Sequence, residues 1–155
     1  MDTNLTENYR KPFKFFWITL LFRQNNYHRY GVLLHTLKVV WGVIKDNDYR
    51  FLAAAFLHDI GKPFVAYQKP SDKEKGIYSF TSHEEKSYDI IKNWPFISDW
   101  TKDIVRYHFI ILDMKRKKNK EEEKYQDLKN IWNTFDDSFQ QDLQIFLKYD
   151  SFGKV

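Results

Sequence analysis

Only five glycines and four prolines punctuate this chain of 155 residues, and that scarcity bounds the fold before any motif is sought. A sandwich or barrel of many short strands needs a turn every few residues, and Gly and Pro are the residues that permit them. Long stretches instead carry apolar residues at helical spacing, so an all-α fold is expected, a compact bundle of about six or seven helices with its functional site in the core. The length suits one domain over residues 1–155 with a single core, and 19% aromatic residues supply material to fill it.

The spacing predicts helices over Phe13 to Arg23 behind Pro12, over Val32 to about Lys45 behind Gly31, and over Tyr49 to Leu57. The last of these is apolar nearly all round, reads as buried, and ends near Gly61 and Pro63. A loop follows, with a hint of extended chain at Ile77 to Phe80. Thr81 or Ser82 is expected to cap a helix running to about Asn93, and Ser98 or Asp99 another running to about Leu112. A charged insertion near 113–125, with Lys115-Arg116-Lys117-Lys118 followed by Glu121-Glu122-Glu123, reads as a solvated loop entering an exposed helix near Tyr125 to Trp132. A helix from Asp136 to Asp150 closes the chain.

No cysteine occurs, which removes thiol nucleophiles and Cys-ligated metals. Any metal has to rest on His and carboxylate. The net charge of +4 suits an anionic ligand without making a dense basic face. The apolar stretch from Phe13 to Phe22 is interrupted by Lys14 and too short for a membrane span, and the start carries Asp2 and Glu7 in place of a basic leader. A cytoplasmic protein without a membrane partner is expected.

Five histidines occur, at 28, 35, 58, 83 and 108. His35 shares a helical stripe with Val32, Val39 and Val43, and His108 one with Ile104, Ile111 and Leu112, so both point inward. Asp150 falls on the line of Leu143, Phe146 and Leu147, where an unpaired carboxylate is costly. His58-Asp59 ends the most hydrophobic helix. Any one of these alone reads as a hydrogen-bonded core residue or a cap. Together, three imidazoles and two carboxylates aimed inward each need a buried partner, and a divalent cation satisfies several at once.

The runs Tyr27-His28-Arg29-Tyr30-Gly31-Val32-Leu33-Leu34-His35 and Leu57-His58-Asp59-Ile60-Gly61-Lys62-Pro63 resemble the HD superfamily of metal-dependent phosphohydrolases. The variety they most resemble is the HD domain of bacterial CCA-adding tRNA nucleotidyltransferases. Phe80-Thr81-Ser82-His83-Glu84-Glu85-Lys86-Ser87 is similar to that family's next motif, His108 to a further His, and Asp150-Ser151-Phe152-Gly153 to its terminal Asp and Gly. Asp136, Asp137 and Asp142 compete with Asp150 for the last position, but only Asp150 has the inward register and the following Ser-Phe-Gly. The family's polymerase portion is not among these residues, so nucleotide addition is not expected.

The resemblance implies a metal held by His35, His58, Asp59 and Asp150, with His83 and His108 either completing a second site through Asp59 or serving substrate and core. One or two ions of Mn, Fe, Co, Ni, Zn or Mg suit such donors. Water activated by the metal is the nucleophile. Asp59 ligates and orients that water. Lys62 reaches a substrate phosphate or, alternatively, faces solvent at a helix end. His28, with Arg29, receives phosphate or protonates a leaving group, or is an ordinary loop histidine. The implied reactions are 2′,3′-cyclic nucleotide phosphodiesterase or nucleotidase activity on a phosphorylated small molecule, a nucleotide or an RNA end. Two other classes stay open: a non-catalytic nucleotide or RNA sensor on the same scaffold, and a helical interaction protein.

Overall fold

The computed structural model describes residues 16–21 and 31–154, so the expectations for Pro12, His28 and Arg29 lie outside the described residues. These residues form an all-α bundle. Its helices are α1 (Phe16–Leu21), α2 (Val32–Lys45), α3 (Leu52–Leu57), α4 (Lys62–Val65), α5 (His83–Ile91), α6 (Asp99–Tyr107), α7 (Ile110–Lys117), α8 (Glu122–Asn133) and α9 (Asp137–Phe152). No strand is present among the described residues; the extended hint before α5 is realised as an isolated antiparallel bridge between Tyr67 and Ser79. None of the helices is long and apolar enough to cross a membrane.

The core is where α2, α3, α6 and α9 meet. Val39, Val43, Phe51, Ala54, Ala55, Ile104, Leu143 and Phe146 are fully buried there, which the helical stripes through His35 and Asp150 require. Asp136 caps α9 by accepting the Phe139 amide at 2.8 Å, and Ser98 caps α6 through the Thr101 amide at 3.2 Å. Ser82 precedes α5 at φ 59 and its hydroxyl makes no capping bond, against expectation.

Three further expectations change. The stretch Tyr49 to Leu57 divides into a 3-10 turn, Tyr49–Phe51, and α3, and it exposes Tyr49 and Phe56, so it is not buried all round. The helix expected to reach Leu112 breaks after Tyr107 and resumes at Ile110. His108 donates its Nδ1–H to the Val105 carbonyl at 2.7 Å, engaging the group that a continuous helix would offer to the next amide. Lys115, Arg116 and Lys117 then lie in the last turn of α7, not in a loop, where cations suit the helix dipole.

Candidate metal centre

Helix ends converge on one buried cluster. His35 comes from the first turn of α2, His58 and Asp59 from the turn after α3, His83 from the start of α5, His108 from the break after α6, and Asp150 from the last turns of α9. All six are at most 5% exposed. The rings follow one another as His35, His58, His108 and His83, with centroids 5.3, 5.2 and 5.3 Å apart, and Phe146 packs beneath His58 and His108 at 5.6 and 6.3 Å.

Local hydrogen bonds decide which ring atoms face the centre. His58, His83 and His108 each donate Nδ1–H to the carbonyl three residues earlier, Ala55, Phe80 and Val105, at 3.0, 3.0 and 2.7 Å. With Nδ1 so engaged, a neutral ring turns the bare lone pair of its Nε2 to the centre. These lone pairs point at carboxylate oxygens, which also accept and cannot donate. Asp59 Oδ2 lies 3.3 Å from both His35 Nε2 and His58 Nε2, and Oδ1 lies 3.4 Å from His83 Nε2 and 3.9 Å from His108 Nε2. Asp150 Oδ1 is 3.1 Å from His35 Nε2, and the two Nε2 atoms of His35 and His58 are 3.2 Å apart.

Lys62 and His35 supply donors to Asp59 Oδ2, but Oδ1 meets the His83 and His108 lone pairs with no donor between them, an arrangement that repels in a dry core unless something positive lies there. Ligand atoms held at about 2.0–2.2 Å from a shared cation stand about 3 Å from one another, which is the spacing found among His35, His58 and Asp59, with Asp150 Oδ1 3.1 Å from His35 Nε2 and 3.8 Å from His58 Nε2. Asp59 Oδ1 is fully buried without a hydrogen-bond partner. His35, His58 and Asp59 form one group able to hold a metal ion, and Asp59, His83 and His108 form another. The residues therefore fit a divalent cation.

The electrostatics agree. Burial alone would lower the His35 pKa, but hydrogen bonds with Asp150 and Asp59 outweigh it and raise the ring to about 9. The pocket thus holds a positive charge even without a metal. Burial raises the Asp59 and Asp150 carboxyls, yet His58 and Lys62 around Asp59, and His35 and Lys154 around Asp150, carry both well below the usual carboxylate range. His83 is pushed well down by burial and the charge of Lys62, and His108 falls to about 4 through burial and the neighbouring His58, so both stay neutral donors. Burial lifts the Glu84 carboxyl, 3.1 Å from His83 Nδ1, to about 7.

Lys62 does not face solvent. It is 4% exposed, and its ammonium donates to Asp59 Oδ2 at 2.6 Å. Of the competing aspartates, Asp136 is the α9 cap, and Asp142 accepts from Arg50 Nη1 at 2.7 Å and Trp100 Nε1 at 3.0 Å. Only Asp150 reaches the imidazoles. Three supporting residues had no role assigned from the sequence: Ser87 and Gly61 stood within the family-like runs, and Lys154 went unremarked. Ser87 accepts from the Gly61 amide at 2.9 Å and donates to the His58 carbonyl at 2.8 Å, which ties the His58-Asp59 turn to α5. A Cβ on Gly61 would stand 2.5 Å from the Ser87 nitrogen and 2.6 Å from the His83 oxygen, so only glycine allows this approach. Lys154 pairs with Asp150, and its signal was the helical i,i+4 spacing.

A helical bundle whose core gathers imidazoles around a shared aspartate defines a class of protein with a buried His/Asp centre. The chain belongs to the HD domain family: the HD domain matches residues 27–131, more than half of the chain. The match contains His35, His58, Asp59, His83 and His108 and stops short of Asp150. No curated protein and no solved structure matches the chain.

Proposed function

We propose that the protein is a divalent-metal-dependent phosphohydrolase acting on a phosphate ester of a nucleotide or of a nucleic-acid end. Asp59 carries the reading: each of its buried oxygens faces its own pair of imidazole nitrogens, Oδ2 those of His35 and His58, Oδ1 those of His83 and His108. His35, His58, Asp59 and Asp150 would hold one ion, and His83 and His108 with Asp59 a second. A bound divalent cation supplies Lewis acidity toward a phosphoryl oxygen and makes water a competent nucleophile near neutral pH.

The chain's own groups do the rest. Asp59 orients the attacking water. Lys62, buried against Asp59, offers a point charge to a substrate phosphate oxygen. His28 receives phosphate or supplies a proton to the leaving group. The likeness of the motifs to the HD domain of CCA-adding enzymes favours 2′,3′-cyclic nucleotides and nucleoside monophosphates as substrates.

The test is a metal-supplemented screen on the full chain, with Mn, Fe, Co, Ni, Zn and Mg in turn and bis-p-nitrophenyl phosphate, 2′,3′-cyclic nucleotides and nucleoside monophosphates as substrates. Turnover that a chelator abolishes and metal restores is the expected result. Bound metal without turnover of any substrate would make the protein a sensor. Absence of any bound metal would leave a helical interaction protein.

A further inference from the structure

Asp150 keeps its two oxygens in different company. Oδ1 lies 3.1 Å from His35 Nε2 and 3.8 Å from His58 Nε2, whereas Oδ2 accepts from the Lys154 ammonium at 2.5 Å. The chain around it is built to bring that ammonium there. Gly153 backs directly onto the imidazole of His35, since a Cβ at this position would stand 2.8 Å from His35 Nδ1 and 2.6 Å from Val39 Cγ2. Bare backbone therefore covers His35, and the next residue, Lys154, folds back across the end of α9 with its amide donating to the Ser151 carbonyl at 3.2 Å. The lysine side chain is mostly buried, at 19% exposure.

We infer that Lys154 is a positioning residue for the metal centre: by holding Oδ2 it fixes the plane of the Asp150 carboxylate, so that Oδ1 stays aimed at the His35 and His58 nitrogens. The inference rests on the proposed metal reading. The terminal torsion of an aspartate is broad, and a carboxylate anchored at one oxygen only by imidazoles would swing within it. Two effects of the lysine oppose each other. Its charge weakens the carboxylate as a donor, which favours metal release, while its hydrogen bond orients the carboxylate, which favours binding. Outer partners of metal ligands typically contribute about 10–100-fold to metal affinity, so orientation prevails, and the sign of the effect separates the two.

The experiment titrates the chelator-stripped full chain with Mn2+ and, separately, Zn2+, comparing wild type, Lys154→Met, Lys154→Arg and Asp150→Asn. Lys154→Met is expected to bind about 10–100-fold more weakly, with helical content by circular dichroism and saturating stoichiometry unchanged. Lys154→Arg, which keeps a charged donor, is expected to recover most of the loss. Methionine binding as tightly as wild type or tighter, or arginine as weak as methionine, overturns the inference. Asp150→Asn losing metal while Lys154→Met does not would remove the lysine's role and leave the metal reading standing. A wild type that binds neither ion removes both.

Discussion

Two buried aspartates lie about two turns apart on α9 and live in opposite surroundings. Asp142 is saturated by donors, the Arg50 guanidinium and the Trp100 indole N–H, and it ties the turn before α3 and helix α6 to α9. Asp150 meets, on its inner side, the imidazole nitrogens of His35 and His58. Burial does not separate the two residues; the partners do. A buried carboxylate held by an arginine and an indole belongs to the architecture, and one with an oxygen turned to clustered imidazole nitrogens offers a ligand to a cation.

The largest expected effect breaks that contrast directly. Asp59→Asn removes the oxygen charge shared by both halves of the cluster and is expected to abolish bound metal and turnover while the helical circular dichroism persists, and His58→Ala likewise. Asp142→Asn is expected to leave metal content and turnover intact and to lower unfolding free energy by about 1–3 kcal/mol in denaturant titration. An Asp142 variant that loses metal, or an Asp59 variant that keeps it, would erase the distinction.

Next in size is the count of ions. His83→Ala and His108→Ala should each lower bound metal, by elemental analysis, from about two to about one per chain, with the remaining ion retained. If both keep the wild-type count and lose only substrate affinity, the centre is mononuclear and these rings serve the substrate. Gly61→Ala drives a Cβ into α5 backbone and should cost about 1–3 kcal/mol, measured as a lower melting temperature.

The smallest effect is on pH. In metal-free protein His35 titrates near 9 against 6.5 when unfolded, so its stabilisation is full below pH 6.5 and lost as pH rises through about 9. His83 and His108 run the other way, for their folded values lie below 6.5. Below pH 6.5 the unfolded chain takes up protons that these rings refuse, and stability falls, for His108 down to about pH 4. The melting temperature of metal-free protein should therefore peak near pH 6.5 and fall on both sides. Saturating metal should remove the alkaline decline, since the ion replaces the proton on His35. A metal-free melting curve flat from pH 6.5 to 9 would contradict the account of His35.

What was legible followed periodicity. Val32, Val39 and Val43 gave the inward direction of His35, and Leu143 and Phe146 that of Asp150, because a residue on a buried stripe inherits its bearing from its neighbours. The burial of Lys62 was not legible: three residues after Asp59 it reads equally as a solvent-facing helix end, and its burial comes from the tertiary packing of α4 against α1 and α5. The break after Tyr107 also escaped, since it arises from a side chain competing for a backbone carbonyl and leaves no Gly or Pro to mark it. Ser87 as a bridge between turn and helix depends on an approach across distant sequence, which no spacing encodes.

The imidazoles of His58, His83 and His108 take their bearing from carbonyls in their own segments. These three rings are thus oriented locally, and bringing them into the centre is a matter of docking their segments, with no later adjustment of the rings. Two kinds of lesion should then behave differently. A weakened core loosens the distances between parts and can be mended by anything that drives docking, including the ion itself, whereas inserting a single residue between a ring and its carbonyl turns that ring about 100° from the centre and leaves the ion nothing to pull on.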